Sequence, residues 1–360
     1  MNKKKKKDYL ILTINPGSTS TKIGVFKNEK SIFETTVMHS VKLLEEYDKI
    51  WNQYSFRKHE IIEELEKNNI SIKELDVVVG RGGLFKPIES GVYIVDENMI
   101  EDARIGVQGE HASNLGCVIA YGIGWDYDIP AYITNPPSVD ELEDIARISG
   151  NKEITRNSIF HALNVFATAR IYARDNKTNI KDINLIVAHL GGGITVTALQ
   201  KGRAINVNNG LDEGPFSPQR SGKLPLFKLI DLAYSNKLTK KQLKKMIVGN
   251  GGFASYFDTN DARKIEKFAN EGKSEYKKIF EAMAYQIAEE IGSRATNLKG
   301  RVDAIVLTGG LAYSKLLIEL IKTRVSFISE IAVYPGENEL KALAMGGLRV
   351  LKGETIPKKY

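Results

Sequence analysis

The chain has a single cysteine, Cys117, among its 360 residues. An intramolecular disulfide and a multi-cysteine metal site are thereby excluded, and a cytosolic location is the default expectation. The surrounding Leu115-Gly-Cys-Val-Ile119 predicts a buried structural thiol rather than a nucleophile. Apolar runs are short, and none approaches the length of a membrane span. Residues 9–12 follow the lysine run Lys3 to Lys7, as in a secretory leader, but they are too few. They also run into Asn15-Pro16-Gly17 with no small-residue cleavage site. The five histidines show no zinc-type spacing, and there is neither a nucleophile elbow nor a Walker A loop.

The chain is 42% apolar and 26% charged, as in an ordinary globular protein. Its length exceeds the usual single-core size, so two domains are expected. The formal charge is +7, but without Lys3 to Lys7 it would be about +2. A terminal lysine run is ordinarily a solvated tail. No basic face interleaved with aromatics is visible, which argues against a nucleic-acid partner.

An internal repeat organises the chain. One copy reads Tyr9-Leu-Ile-Leu-Thr-Ile-Asn-Pro-Gly-Ser-Thr-Ser-Thr-Lys22, and the other reads Asn184-Leu-Ile-Val-Ala-His-Leu-Gly-Gly-Gly193. In each, a buried apolar strand ends in a small-residue turn. A second strand, a hairpin turn and a third strand follow. The copies lie about 175 residues apart, half the chain, which predicts two domains of like fold rather than a solenoid. Further strands are expected at 76–79, 129–133, 302–307 and 331–333, each ending in turn residues, where α/β proteins place ligand contacts. Helices are expected at 158–172 and 340–351, the latter close-packed at Gly346-Gly347. The stripe Tyr276, Ile279, Phe280, Met283, Ala284, Ile287, Ala288, Ile291 and Ala295 has helical spacing and reads as core.

Several groups of residues suit phosphate chemistry. Gly17 allows close backbone approach, while Ser18, Ser20 and neighbouring threonines supply hydroxyls and Lys22 a cation. Alone, this is equally an ordinary polar hairpin. The second copy places Gly191, Gly192 and Gly193 at the same point, a costly choice unless a phosphate or another backbone comes close. Gly309 and Gly310 follow a strand and suit an adenine or a phosphate. Arg220 ends a loop dense in turn formers, and a guanidinium matches the equatorial oxygens of a transferring phosphoryl group. Arg81, between glycines at a strand end, suits a small carboxylate. His111, His161 and His189 lie in polar or glycine-bounded contexts and are candidate phosphoryl ligands, although a lone histidine is more often structural.

Together these segments resemble the acetate and sugar kinase, Hsp70 and actin superfamily, and within it the butyrate kinases of the acetokinase family. The resembling stretches are Asn15 to Lys22, Gly80 to Leu84, Gly109 to Gly116, Ser158 to Asn164, Ala188 to Gly193, Glu213 to Gly222 and Thr308 to Leu311. The implied fold is α/β, two duplicated actin-like (ribonuclease H-like) domains with a central interdomain cleft. Residues 1–155 plus 338–360 would form one domain, and residues 156–337 the other, on the nucleotide side. The implied reaction is reversible phosphoryl transfer from ATP to a short-chain fatty acid, with Mg²⁺. By position, Arg81 and Arg220 would be the site's arginines. Asn15, His111, His161 and His189 would line the phosphoryl path. Asp261, Arg263 and Gly309 to Ala312, including Leu311, would form the adenosine side, and Glu339 would lie near the metal. A homo-oligomer is also implied.

One departure stands out. The family pattern has an aspartate after the 129–133 strand, where this chain has Asn135 in Thr134-Asn-Pro-Pro137. Loss of that charge predicts weakened Mg²⁺ binding or turnover. Two further readings stay open: a kinase for another short or branched carboxylate, and an impaired ATP-binding paralogue. No separate peptide-binding segment follows the core, which disfavours a chaperone.

Overall fold

In the computed structural model, residues 8–360 are described. The Lys3 to Lys7 run lies outside the described residues. The chain divides into two compact units, residues 1–139 with 338–360, and residues 140–337.

Among the described residues, the first unit holds β1 (Leu10–Pro16), β2 (Ser20–Lys27), β3 (Lys30–Met38), β4 (Val77–Gly80), β5 (Val92–Ile94) and β6 (Ala131–Thr134). Their order across the sheet is β3-β2-β1-β4-β6-β5. The β1-β2-β3 meander is antiparallel, whereas β4 joins β1 in parallel. Ile11, Leu12 and Ile14 make β1 apolar enough to sit inside, and Thr21, Ile23 and Val25 turn one face of β2 into the core.

The second unit repeats this plan with β7 (Asn184–Leu190), β8 (Ile194–Gln200), β9 (Arg203–Val207), β10 (Ala304–Gly309) and β11 (Ile331–Pro335), in the order β11-β10-β7-β8-β9. Again the first three strands are antiparallel and the fourth pairs with the first in parallel. Even the irregularity repeats. The register slips between Val25 and Phe26 in one meander, and between Ala198 and Leu199 in the other. The fold is therefore α/β and duplicated.

Helices cover the sheets. Phe280, Met283, Ala284, Ile287 and Ile291 of the Ser274–Asn297 helix are buried in the second core, so the periodic stripe packs as expected. In the first unit the Glu339–Leu351 helix packs closely on the sheet, Gly346 against Thr134 and Gly347 against Val79. Cys117 is fully buried, and desolvation pushes its thiol up to about 12, which keeps it inert at neutral pH. No helix among the described residues is long and apolar enough to cross a membrane.

Two details depart from the sequence expectation. The helix expected at 158–172 runs from Ala162 to Asp175. Its apparent first turn is held as a loop: the Ser158 N–H donates to Asp140, and the Ile159 carbonyl accepts from Gly210. The first unit also ends earlier than residue 155. Glu141 accepts the Ala204 N–H of β9, and the Glu143 N–H donates to Ile205, so residues 140–155 attach to the second unit.

Backbone meets backbone closely where the end of β4 passes the Asn114–Tyr127 helix. A Cβ on Gly116 would strike the Arg81 carbonyl oxygen, and one on Gly80 would strike that of Gly116. Backbone cannot yield as a flexible side chain can. Gly116→Ala is therefore expected to lower unfolding free energy by roughly 1–3 kcal/mol, measured by urea denaturation. A loss within error would show that this contact tolerates a methyl group.

Candidate active site

The turn after β1 is built around a buried arginine. Arg57, on the Tyr54–Lys67 helix, is fully buried. Its guanidinium donates to the carbonyls of Gly17 (2.8 Å), Ser18 (2.8 Å) and Ser20 (3.3 Å), to Thr21 Oγ1 (3.3 Å) and to Gln53 Oε1. Burial lowers Arg57 to about 10, which leaves it charged at neutral pH. The charge is thus balanced by backbone dipoles that would otherwise be repelled by a bound phosphate. His39 Nε2 lies 2.8 Å from Thr21 Oγ1, and burial followed by the Arg57 charge lowers its pKa from 6.5 to about 4. Ser18 and Lys22 remain exposed and Ser20 is half-buried.

At the end of β4, Arg81 is 7% exposed. Its Nη1 pairs with Glu339 Oε1, while Asn15 Nδ2 donates to the other carboxylate oxygen. Arg81 Nε is buried and makes no hydrogen bond. A buried guanidinium donor with no acceptor is costly unless a ligand supplies one. Glu339 is the first residue of its helix, placed by Asn338, whose side chain caps the Lys341 N–H. His111 is exposed, with Nδ1 against Ser113 Oγ at 2.8 Å. Asn135 is buried at φ 41°, and its Oδ1 accepts the Gly91 N–H at 2.8 Å. Asparagine tolerates that left-handed backbone better than most side chains, which accounts for the residue type in local terms.

In the second unit, His161, His189 and Glu337 form a tight group. Glu337 Oε2 lies 3.2 Å from His161 Nε2 and 3.9 Å from His189 Nε2, with ring centroids 4.3 Å apart. Such a trio is a candidate metal set. The opposite ring nitrogens point to a different chemistry. His161 Nδ1 accepts the Asn164 backbone N–H as the cap of the Ala162–Asp175 helix, and Asn164 Nδ2 lies 2.8 Å from His189 Nδ1. Each neutral ring then carries its proton on Nε2 and presents a donor, not a metal-binding lone pair.

Arg220 donates to the Gly210 carbonyl, and its guanidinium packs against Gly193 so closely that a Cβ there would clash. Burial lowers its pKa, yet it stays protonated at neutral pH. Ser217 Oγ donates to the Gly192 carbonyl at 2.6 Å, so the 212–222 loop is tied to the glycine turn. The loop is braced below by Arg156, which grips Glu213 with two hydrogen bonds of 2.9 and 2.8 Å. Burial raises the Glu213 pKa, but the hydrogen bonds from Arg156 and the Asn209 N–H outweigh it and leave the carboxyl below its usual value. Asp261 caps the Ala262–Asn270 helix and pairs with Arg263 on the surface. Gly310 opens a short turn after β10 and has open space where a side chain would project. Leu311 and Ala312 pack into the core instead.

The structure thus brings Asn15, Arg81 and Glu339 together, and separately His161 and His189, and Arg220 with Gly193. His111, Asn135, Asp261 and Arg263 engage local partners. Arg57 and Glu337 have no place in the sequence expectation, and Asn164 and Glu213 lie in the resembling stretches without an assigned role. Arg57 carried a detectable signal, because it shares the stripe 57, 61, 65 with buried Ile61 and Leu65.

Comparison with known proteins is informative at full length. A family model described as the acetokinase family matches residues 148–332. A curated protein named butyrate kinase 2, from Clostridium acetobutylicum, is 52% identical over 98% of this chain and 99% of its own length. The crystal structure of Porphyromonas gingivalis acetate kinase matches with TM-score 0.77 at 17% identity, covering 95% of this chain and 100% of that one. A propionate kinase structure from Francisella tularensis matches with TM-score 0.73 at 17% identity, covering 94% and 98%.

His39 supplies a pH test of the first turn. It is neutral when folded until about pH 4, whereas the unfolded chain takes up the proton near 6.5. The unfolded state therefore binds more protons between these values, and stability falls as pH drops from 6.5 towards 4. Urea midpoints should decline across that window, and His39→Gln should flatten the decline. An identical slope in the variant would remove His39 from the account.

Proposed function

The chain belongs to the acetokinase family, and on that premise we propose that it phosphorylates a short-chain fatty acid, butanoate, with ATP. The observation that carries this reading is the full-length 52% identity to a protein named as a butyrate kinase. It is supported by hydrogen-bond donors gathered in each unit, Arg81 in the first, and His161, His189 and Arg220 in the second.

The chemistry is economical in protons. A fatty acid is already a carboxylate at neutral pH. One of its oxygens attacks the γ-phosphorus of ATP, the bond to the β,γ-bridging oxygen breaks, and ADP leaves as the acyl phosphate forms. No general base is needed, so the site's task is orientation and charge stabilisation. Arg81, with an unused Nε donor, binds the carboxylate. His161 and His189 donate from Nε2 to phosphoryl oxygens, and Arg220 stabilises the charge that spreads over them in transfer. Ser18, Ser20 and Lys22 of the β1 turn in the first unit, and Gly191 to Gly193 in the second, would each serve as phosphate contacts. Asp261, Arg263 and the turn at Gly309-Gly310, open at Gly310, form the adenosine side.

Mg²⁺ belongs to this reading. It is held by one or two carboxylates, with waters and substrate phosphates. Glu339, held between Arg81 Nη1 and Asn15 Nδ2, is a hard oxygen donor of the kind such an ion takes and would be the carboxylate that holds it. When bound, it would neutralise phosphate charge. Asn135 is given no ligand role, since its side-chain oxygen serves Gly91. A cytosolic homo-oligomer completes the reading, supported by the outward Leu226, Phe227 and Ile230 of the Leu226–Ala233 helix.

The test is ADP formation with Mg-ATP across acetate, propionate, butyrate and isobutyrate. Butyrate should give the highest kcat/KM. Preference for acetate would move the acceptor, and no turnover with any of them at millimolar concentration would refute the kinase reading. Within the active enzyme, Arg220→Ala should lower kcat roughly 10²-fold. An unchanged kcat would remove Arg220 from transition-state stabilisation.

A further inference from the structure

Glu337 is not a member of the phosphate-binding set described so far, yet it lies against two of its donors. Its Oε2 is 3.2 Å from His161 Nε2 and 3.9 Å from His189 Nε2. Both rings are fixed from behind through Asn164, by its backbone N–H on His161 Nδ1 and its side-chain amide on His189 Nδ1. With Nδ1 an acceptor in each ring, the two Nε2–H bonds face one carboxylate oxygen. A divalent transition metal would need lone pairs on those same nitrogens, and they carry protons instead. The group is therefore built to hold an anion. Here the anion that they face is the protein's own carboxylate. His189 is 5% exposed, whereas the Glu337 side chain is 36% exposed. The donors are held by Asn164, and the acceptor is the more exposed partner.

We propose that Glu337 is an internal stand-in for the transferring phosphoryl group, which must displace it from His161 and His189, so that Glu337 sets the apparent affinity for phosphate-type anions. The identity of the natural anion rests on the kinase reading above. The competition itself does not, because any tetrahedral oxyanion that accepts the same two N–H groups meets the same occupant. Affinity for a site open only part of the time is reduced by the open fraction. If Glu337 fills the site about nine-tenths of the time, removing its charge tightens binding about tenfold.

The experiment uses the full chain and Glu337→Gln, a near-isosteric change at a partly exposed position. Inorganic phosphate is titrated while the histidine ring nitrogens are followed by long-range ¹H–¹⁵N NMR, with no turnover required. Both rings in the free wild-type protein should show the Nε2–H tautomer. Glu337→Gln should bind phosphate about tenfold more tightly, with His161 and His189 signals moving on titration. In an active enzyme the KM for the acyl phosphate should fall in step, while the KM for ADP holds. Phosphate binding that is unchanged or weaker in Glu337→Gln would overturn the proposal. So would tight Zn²⁺ binding to the wild-type trio that Glu337→Gln abolishes, since that requires unprotonated Nε2 atoms. Tightened phosphate binding in a protein that turns over no fatty acid would leave the competition standing and sink the kinase reading alone.

Discussion

Buried positive charge has to be balanced before a ligand arrives, and this constraint shapes the candidate site. Arg57 is balanced by the carbonyls of the first turn, Arg81 by Glu339, and Arg220 by the Gly210 carbonyl, and the neutral histidine donors face Glu337 in the same way. A cation left unpaired in a protein interior costs several kcal/mol or changes its protonation. Each of these side chains is therefore held against an acceptor of the chain itself, with Arg81 Nε left over. Two of those acceptors, Glu337 and Glu339, are separated by one residue, and the chain passes from the second unit back to the first between them. One short segment thus supplies a carboxylate to each unit's own donors.

The backbone makes this storage possible. In both sheets the first strand is flanked by an antiparallel second strand and a parallel fourth. The first and fourth strands run in parallel, so their carboxyl ends lie side by side, and each first strand leads into a glycine-containing turn, Gly17 in one unit and Gly191 to Gly193 in the other. Gly80 and Gly116 let a helix approach the strand that carries Arg81, and Gly193 leaves room for the Arg220 guanidinium. Loop 212–222 is held to that glycine turn by Ser217 and braced by the Arg156–Glu213 pair.

Much of this was legible in the sequence where the signal is local or periodic. The repeat of strand, small-residue turn and hairpin became two sheets of one plan, and the stripe from Tyr276 to Ala295 became core. Side chains whose meaning depends on a distant partner were not legible. Arg57 sits on an apolar helical stripe, but its acceptors lie about 40 residues away in the β1 turn. Apolar periodicity ran through residues 158–161, although hydrogen bonds to Asp140 and Gly210 keep them out of the helix, so His161 became its cap. Asn135 looked like a lost charge. Its left-handed backbone and its bond to Gly91 show a local reason for the residue that no linear pattern displays.

In the proposed reaction a carboxylate oxygen attacks the γ-phosphorus of ATP. Transfer from carboxyl-¹⁸O butyrate tests it directly. The acyl phosphate is trapped with hydroxylamine, which attacks the carbonyl carbon and releases the bridging oxygen with phosphate. ³¹P NMR should show one ¹⁸O in the released phosphate, with ADP as the nucleotide product. Unlabelled phosphate, or label appearing in AMP, would contradict the account.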